Sequence, residues 1–404
     1  EASLESELIG KTPNWDPDRI AQLDAIILKI AIGELLYFPS IPPKVTLNEY
    51  LEIAKDYSTP KSNHFVNGVL DKLVKEVPIE ALIPNKSYFF FSHTIKKQPY
   101  NRKLLQAILS KNITLYDHET LVDKDHNRLI GFGYYAGVVG AYNALRTIGK
   151  KWNCFELPMA TTFKDRNELN AALTKITLPA LKIVLTGTGR VGQGAKEVLD
   201  AVNIKQVSVA AFLSQSFETP VYVQLDVLDY VTRKDGSGDS KADFFTNPTS
   251  YKSTFNKYTE VADVFIAGHF YGKGAPYFFS RAEAKAANFK LKVVADISCD
   301  IDGPVACTIR PSTIDEPIYG YDPTTESEVN FTNPKAIAVM AVDNLPCELP
   351  RDASEGFGST FTKIIIPAFF NGDQDGILAR AKMTENGALT PAFSYLKKYV
   401  DGLE

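Results

Sequence analysis

The chain has 404 residues, enough for two or three domains of roughly 100–200 residues each. Its hydrophobic content of 45% is that of an ordinary globular protein with sizeable cores. The formal net charge of −4 leaves no general basic surface, so bulk charge does not indicate nucleic acid as the main partner.

Three further features bear on where the chain works. No apolar run reaches the roughly 18 residues that span a bilayer, so no membrane partner is predicted. The opening stretch EASLESELIG is acidic and polar, unlike a signal peptide. Free thiols in a reducing cytoplasm are predicted, because neither C-x-x-C spacing nor a dense framework links Cys154, Cys299, Cys307 and Cys347.

The first 73 residues show only helical patterns. Asp16 and Pro17 mark the start of a helix to about residue 37, and a run of prolines ends it. Thr46 and Glu49 form a capping box that opens a second helix, and Ser58 starts a third. We predict an all-helical segment over 1–73, with a helical fragment docked on the rest of the chain as the alternative to a binding module.

This segment resembles the C-terminal half of the transcription antitermination factor NusB over NWDPDRIAQLDAIILKIAIGELLYFPSIPPKVTLNEYLEIAKDYSTPKSNHFVNGVLDKL. The resemblance implies an all-helical module that binds RNA and a ribosomal protein. The arginine-rich half of that family is not in this sequence, and half a bundle exposes the face its other helices cover. Nucleic acid is therefore not the expected partner, and an RNA- or ribosome-associated antitermination module is the alternative of a different class.

From residue 74 strands alternate with helices, which predicts an α/β fold. Residues 87–92 form a buried strand by their aromatic content, and residues 113–116 form the next. Ionisable groups that meet at strand ends shift one another's pKa, as an acid–base pair requires. The candidate group at this edge is Lys75, Glu76, His93, Lys96 and Glu119. A solvated rim of surface charges is the alternative for Lys96 and Glu119.

The stretch LKIVLTGTGRVGQGAKEVL has the G-x-G-x-x-G spacing between a predicted strand and a predicted helix. Glycines at such a turn aim backbone N–H groups and the positive helix end at one spot, which suits a pyrophosphate. We predict a Rossmann-type domain that binds NAD or NADP, against the alternative of a plain structural turn. The predicted cofactor residues of this loop are Gly187, Gly189, Arg190, Val191 and Gly192.

Residues 205–213 are predicted as the next strand. No Asp or Glu directly follows it to bind the adenosine ribose, so the sequence does not decide between NAD and NADP. Residues 131–149 combine small and aromatic residues at helical spacing, which predicts a helix packed closely against a neighbour or a cofactor. Later strands are predicted at 264–267, 293–295 and 337–342, and helices at 352–369, 375–383 and 390–401. The predicted domains are 1–73, helical; 74–150 with 351–404, catalytic; and 151–350, dinucleotide-binding.

Over 74–404 an ordered set of motifs resembles the lysine-forming saccharopine dehydrogenases and the lysine-ketoglutarate reductase domain, within the alanine dehydrogenase and transhydrogenase fold group. The motifs are VKEVPIEALIPNKSYFFFSHTIKKQPYN, LYDHETLVD, GFGYYAGVVGA, ADISCDIDGP, AVDNLP and LPRDASEGFG. The resemblance implies NAD(P)-dependent conversion of saccharopine to lysine and 2-oxoglutarate, or the reverse. An alanine dehydrogenase-like amino-acid dehydrogenase is the alternative, no metal is implied, and a homo-oligomer is left open.

The resemblance also assigns roles to residues. It makes Lys75 and His93 the acid–base catalysts and pairs Lys96 with Asp343. Glu76 and Glu119 match acidic residues that tune the site, and Asp296, at the end of a predicted strand, is placed with the cofactor residues. The family's first βαβ unit, with its R-x-x-x-R-x-x-L-T-P segment for substrate carboxylates, is replaced by the NusB-like helices up to Leu73. We therefore expect impaired turnover.

Overall fold

The computed structural model of the chain describes residues 22–37, 50, 53–54, 79 and 82–403. Two compact units are distinguished, Glu1–Leu121 with Ile377–Glu404, and Val122–Gly376. The start of the first predicted helix, most of the second and all of the third lie outside the described residues. The predicted domain boundaries near 150 and 350 stay a prediction, because compactness alone does not test them.

The described elements alternate between strands and helices after residue 82. The strands are β1 (Ser87–Phe90), β2 (Thr114–Asp117), β3 (Lys182–Thr186), β4 (Lys205–Gln206), β5 (Val221–Leu225), β6 (Val231–Arg233), β7 (Tyr251–Ser253), β8 (Val264–Ala267), β9 (Val293–Asp296), β10 (Ile318–Asp322), β11 (Ser327–Val329), β12 (Ile337–Met340), β13 (Lys382–Glu385) and β14 (Ala388–Leu389). The α-helices are α1 (Gln22–Tyr37), α2 (Arg102–Ser110), α3 (Gly133–Trp152), α4 (Arg166–Leu173), α5 (Arg190–Ala201), α6 (Val209–Ser214), α7 (Lys241–Thr246), α8 (Asn256–Thr259), α9 (Arg281–Ala284), α10 (Pro350–Thr360), α11 (Ile366–Phe370), α12 (Ile377–Ala381) and α13 (Lys397–Val400).

The first unit contains a sheet in the order β1-β2-β13-β14, in which β1 and β2 are parallel and the other pairs antiparallel. The predicted helix over 375–383 ends early, at Ala381. Thr384 explains the change, because its hydroxyl donates to the carbonyl of Ile113 at 2.8 Å and accepts from the N–H of Leu115 at 3.0 Å. These bonds hold the segment extended beside β2, where Met383 is fully buried.

The second unit is built on an eight-stranded sheet in the order β11-β10-β12-β9-β8-β3-β5-β4. Strands from β12 to β4 in this order are parallel, and β10 and β11 add an antiparallel edge. Alternate residues of the central strands enter two separate cores, as in Ile183 and Leu185 on one face and Val184 on the other. Both faces are therefore covered, and the predicted α/β class is confirmed. Within the described part of the chain, no helix is long and apolar enough to cross a membrane.

Helices α3 and α5 approach each other so closely that their backbones touch. A Cβ on Gly137 would lie 1.9 Å from the carbonyl oxygen of Val191, and a Cβ on Gly194 would lie 2.1 Å from that of Tyr134. Both distances are far below van der Waals contact, so these positions accept only glycine. The predicted helix over 131–149 thus packs against a neighbouring helix, which carries the glycine loop at its start.

We predict that Gly137→Ala lowers the free energy of unfolding by about 1–3 kcal/mol or more, because the methyl group forces the two helices apart. Gly358→Ala is the matched control. That residue is also helical, but a Cβ there meets no atom within 4 Å, so stability should stay equal or rise by up to about 1 kcal/mol. Denaturant unfolding measures both variants, and equal stabilities for them would refute the packing argument.

Candidate functional site

The glycine loop connects β3 to α5. Gly187 has a φ of +94°, and a Cβ there would lie 2.4 Å from the carbonyl oxygen of Gly268. A Cβ on Gly192 would lie 2.0 Å from the carbonyl oxygen of Gly187. The fold itself therefore requires glycine at residues 187 and 192.

Gly189 is different, because the described part of the chain gives no reason for a glycine there. It is the N-cap of α5, and a Cβ built on it meets no atom within 4 Å. The first N–H groups of a helix have no partner inside it, and the helix dipole is positive at this end. A pyrophosphate can approach the backbone at this point only if residue 189 has no side chain. The loop therefore fits a bound dinucleotide.

The prediction that residues 205–213 form the strand beside the glycine loop is wrong. Only Lys205–Gln206 is extended there, because the Ser208 side chain accepts a hydrogen bond from the N–H of Ala211 and caps α6. The strand that pairs with β3 along its whole length is β5, and Asp226 follows it directly. An acid therefore does close the strand beside β3, although none directly follows the predicted strand at 205–213.

The Asp226 carboxylate faces two donors. Its Oδ2 accepts hydrogen bonds from Lys241 Nζ at 2.7 Å and from Thr188 Oγ1 at 3.2 Å. Burial raises its pKa, but the bonds from Lys241 and from the N–H of Val227 outweigh burial and hold the pKa of Asp226 below its usual value. The carboxylate is thus ionised at neutral pH and able to accept hydrogen bonds from ligand hydroxyl groups.

A cavity of about 560 Å³ joins these groups at the carboxyl edge of the sheet. The ends of three adjacent strands contribute to it: Asp226 after β5, the glycine loop after β3, and His269 after β8. Its volume is typical of small-molecule sites, and its place is where open α/β sheets bind ligands. The lining residues are Gly187, Thr188, Gly189, Arg190, Val191, Asp226, Val227, Tyr230, Lys241, Phe245, Gly268, His269 and Phe270.

Asp296, also predicted as a cofactor residue, ends β9 with its side chain fully buried. Its carboxylate accepts hydrogen bonds from Thr308 Oγ1 at 2.7 Å, Ser298 Oγ at 2.8 Å and the N–H of Cys299 at 3.1 Å. Burial raises the pKa of Asp296, and the bonds from Thr308 and Ser298 oppose the rise. Its bonds hold the following loop in place, and contact with a cofactor stays a prediction.

The second candidate group lies in the first unit, just after β1 and β2. His93 has a φ of +53°, a left-handed conformation uncommon outside glycine. Its Nδ1 lies 3.3 Å from Glu119 Oε1, and Lys96 Nζ lies 3.3 Å from the same oxygen. The Glu119 side chain is 8% exposed and that of His93 47% exposed. The structure thus brings three of the predicted residues together, with a buried carboxylate behind an accessible imidazole.

Asp117 ties these two strand ends to each other. It accepts hydrogen bonds from the N–H of Ser92 at 3.1 Å, from the Ser92 hydroxyl, and from the N–H of Glu119 at 2.7 Å. Burial raises the pKa of Asp117 above its usual value, although the bonds from Ser92 and Glu119 oppose the rise. Since Ser92 immediately precedes His93, these bonds fix the distance between the imidazole and Glu119.

The described structure does not test the roles predicted for three other residues. Lys75 and Glu76 lie outside the described residues, and Asp343 is exposed in the turn after β12, in the second unit. The catalytic role of Lys75, the tuning role of Glu76 and the pairing of Lys96 with Asp343 stay predictions.

Sequence reasoning assigned no role to Asp226, Lys241 or Asp117. The run VYVQL at 221–225, which contains β-branched and aromatic residues and is followed directly by an acid, is the signal that could have found Asp226. Lys241 carries no comparable signal, because it follows a polar loop and meets Asp226 only in the folded chain.

Comparison with known proteins identifies relatives of both parts of the chain. Residues 2–75 match the model of the NusB family. The transcription antitermination protein NusB of Chloroherpeton thalassium is 42% identical over 80 residues, which is 20% of this chain and 38% of that protein. The mitochondrial alpha-aminoadipic semialdehyde synthase of Mus musculus is 26% identical over 385 residues, and the alpha-aminoadipic semialdehyde synthase of Arabidopsis thaliana 27% over 366.

These two synthases align with 82% and 80% of the chain, but with only 41% and 34% of their own lengths. Among solved structures, an L-alanine dehydrogenase matches with a TM-score of 0.51 at 15% identity, covering 80% of this chain and 79% of its own. Identity this low shows a shared fold alone. The resemblances predicted from the sequence motifs are confirmed by these matches.

We predict that Gly189→Val raises the dissociation constant for NADH at least roughly tenfold, a cost of about 1.4 kcal/mol, because its side chain occupies the space of the pyrophosphate. Its melting temperature should fall only slightly, since the side chain meets open space and the one cost is that valine is a poorer N-cap than glycine. Gly358→Val, also at an open position, is the control. Unchanged NADH affinity in Gly189→Val, measured by fluorescence titration, would rule out this loop as the binding site.

Proposed function

We propose that this chain is an oxidoreductase of the amino-acid dehydrogenase type that interconverts saccharopine with lysine and 2-oxoglutarate, using NAD. Homology to alpha-aminoadipic semialdehyde synthases over 82% of the chain supports the reaction class. One observation carries the proposal. Gly189, where no atom occupies the space of a side chain, and the ionised Asp226 line the same cavity.

The cavity residues suit a nicotinamide dinucleotide, which accepts or supplies a hydride when bound. The N–H groups at the start of α5 bind its pyrophosphate, and Asp226 accepts hydrogen bonds from the adenosine ribose hydroxyls. The 2′-phosphate of NADP would bring negative charge to Asp226, and the adjacent cation, Lys241, already pairs with that carboxylate. This charge balance favours NAD over NADP.

The reaction breaks a carbon–nitrogen bond in saccharopine. Loss of a hydride from carbon and a proton from nitrogen converts the secondary amine to an imine. Addition of water gives a carbinolamine, and its collapse releases lysine and 2-oxoglutarate; the reverse reaction follows the same steps backwards. Protons move to and from nitrogen and oxygen throughout, so the site needs groups that take up and release protons near neutral pH.

His93 is the proposed proton carrier among the described residues. Its Nδ1 lies 3.3 Å from Glu119 Oε1 and 3.5 Å from Lys96 Nζ, so these two side chains hold the ring through Nδ1, and Nε2 is the nitrogen proposed to exchange protons with the substrate. Lys96 Nζ lies 3.3 Å from the same carboxylate oxygen, so Glu119 is in contact with both side chains. Lys75, carried over from the motif resemblance, is the second proposed acid–base residue.

The alternatives are less well supported. The L-alanine dehydrogenase match shows a fold and not a substrate. The NusB match concerns residues 2–75, whereas the synthase matches extend over four fifths of the chain and agree with the cavity geometry. Small amino-acid and oxo-acid substrates are accordingly the proposed partners, rather than RNA.

We predict that the wild-type chain binds NADH more tightly than NADPH, and that Asp226→Ser shrinks this preference at least roughly tenfold, or about 1.4 kcal/mol, because a like-charge contact with the 2′-phosphate is removed. Asp235→Ser is the control, since that carboxylate is 56% exposed and pairs with Arg233 away from the cavity. Titrations with both cofactors measure the ratio. A ratio that Asp226→Ser leaves unaltered would show that Asp226 does not meet the ribose.

Incubation with saccharopine and NAD should yield lysine, 2-oxoglutarate and NADH in equal amounts. We predict that His93→Gln lowers kcat roughly 10²-fold, the usual scale for a lost general acid or base, with NADH affinity unchanged. His126→Gln, at an exposed loop histidine, should behave like the wild type. If the wild type forms none of these products, the proposed substrate is wrong; if His93→Gln turns over normally, the proposed proton carrier is wrong.

A further inference from the structure

His269 is a buried histidine in the nucleotide cavity to which the reaction assigns no role. It follows β8 through Gly268, lines the cavity and is 7% exposed. Its Nδ1 lies 2.9 Å from the hydroxyl oxygen of Thr186, the last residue of β3. Its Nε2 is buried and has no hydrogen-bond partner in the described part of the chain.

The surroundings explain why this ring is rigid and neutral. It packs against Phe278 with ring centroids 4.0 Å apart, and it lies nearly parallel to Phe265 at 6.5 Å. Burial lowers the pKa of His269 to about 3, so the imidazole carries no charge at neutral pH. A neutral imidazole has one donor and one acceptor nitrogen, and the Thr186 hydroxyl can satisfy Nδ1 in either role.

An unsatisfied nitrogen in such a place is costly, and buried polar groups in proteins almost always have partners. If His269 served only to fill the core, a phenylalanine would pack against the same aromatic rings without this cost. His269 lines the cavity, so a ligand bound there is the partner that can satisfy Nε2.

The order of the strands indicates which part of the ligand this is. Asp226 follows β5 on one side of β3, and His269 follows β8 on the other side. With the adenosine ribose at Asp226 and the pyrophosphate at the glycine loop between them, a dinucleotide crosses the sheet edge toward β8. The second ribose, next to the nicotinamide, is the part that arrives there.

We infer that His269 is a cofactor-positioning residue whose Nε2 hydrogen-bonds a hydroxyl group of the nicotinamide-side ribose, with Thr186 holding the ring in orientation. This inference rests on the proposed nucleotide site. A ribose hydroxyl both donates and accepts, so either tautomer of the imidazole completes the bond.

Three ligands of the full chain locate the contact. NADH and ADP-ribose both carry the second ribose, whereas ADP lacks it. For His269→Phe we expect dissociation constants roughly 2- to 10-fold higher for NADH and ADP-ribose, the range of one hydrogen bond, and an unchanged value for ADP. The melting temperature of the ligand-free variant should stay near the wild-type value, because removal of the unsatisfied Nε2 is offset by loss of the hydrogen bond between Nδ1 and the buried Thr186 hydroxyl. His269→Gln, which keeps a polar end, should recover part of the affinity.

The outcomes separate the inference from the proposed function. Equal affinities of wild type and His269→Phe for all three ligands would overturn the assignment. Weaker binding of NADH with unchanged binding of ADP-ribose would overturn it too. Equal weakening of all three with a lower melting temperature would assign His269 a purely structural role. Wild-type protein that binds none of the three ligands would overturn the nucleotide site itself, and the assignment of His269 with it.

Discussion

The site depends on the contact between the backbones of two helices. Gly137 and Gly194 let α3 lie directly on α5, with no side chain between them. Because α5 begins at the glycine loop, this contact fixes where its unpaired N–H groups point relative to the sheet. Fixed donors need no reorganisation when an anion binds, and such preorganisation is what makes helix ends effective anion sites.

The protein satisfies the hydrogen-bonding capacity of some polar groups and leaves other positions open. The Asp296 carboxylate receives three hydrogen bonds from its own loop, and Asp117 receives three from the strand ends near His93. By contrast, Gly189 faces open space and His269 Nε2 has no partner in the described part of the chain. The satisfied groups stabilise the scaffold, and the open ones indicate where a ligand belongs.

The sequence predicted elements whose signals are local. The strand at 264–267 has the predicted bounds, and the helix over 131–149 packs closely against a neighbour because its small residues recur at helical spacing. The misplaced strand at 205–213 has a different cause, since its apolar residues suit a strand equally well and only the Ser208 cap turns them into a helix. Contacts between residues far apart in the sequence could not be predicted from local patterns. Lys241 and Asp226 are 15 residues apart, and Thr186 and His269 are 83 residues apart.

A crystal structure of the chain with NADH would show whether one cavity at the carboxyl edge of the sheet binds NAD. We predict that the pyrophosphate contacts the N–H groups of Arg190 and Val191. We also expect the adenosine ribose hydroxyls to lie within hydrogen-bonding distance of the Asp226 carboxylate. A dinucleotide bound elsewhere, or bound here in the opposite direction with its nicotinamide toward Asp226, would contradict the account.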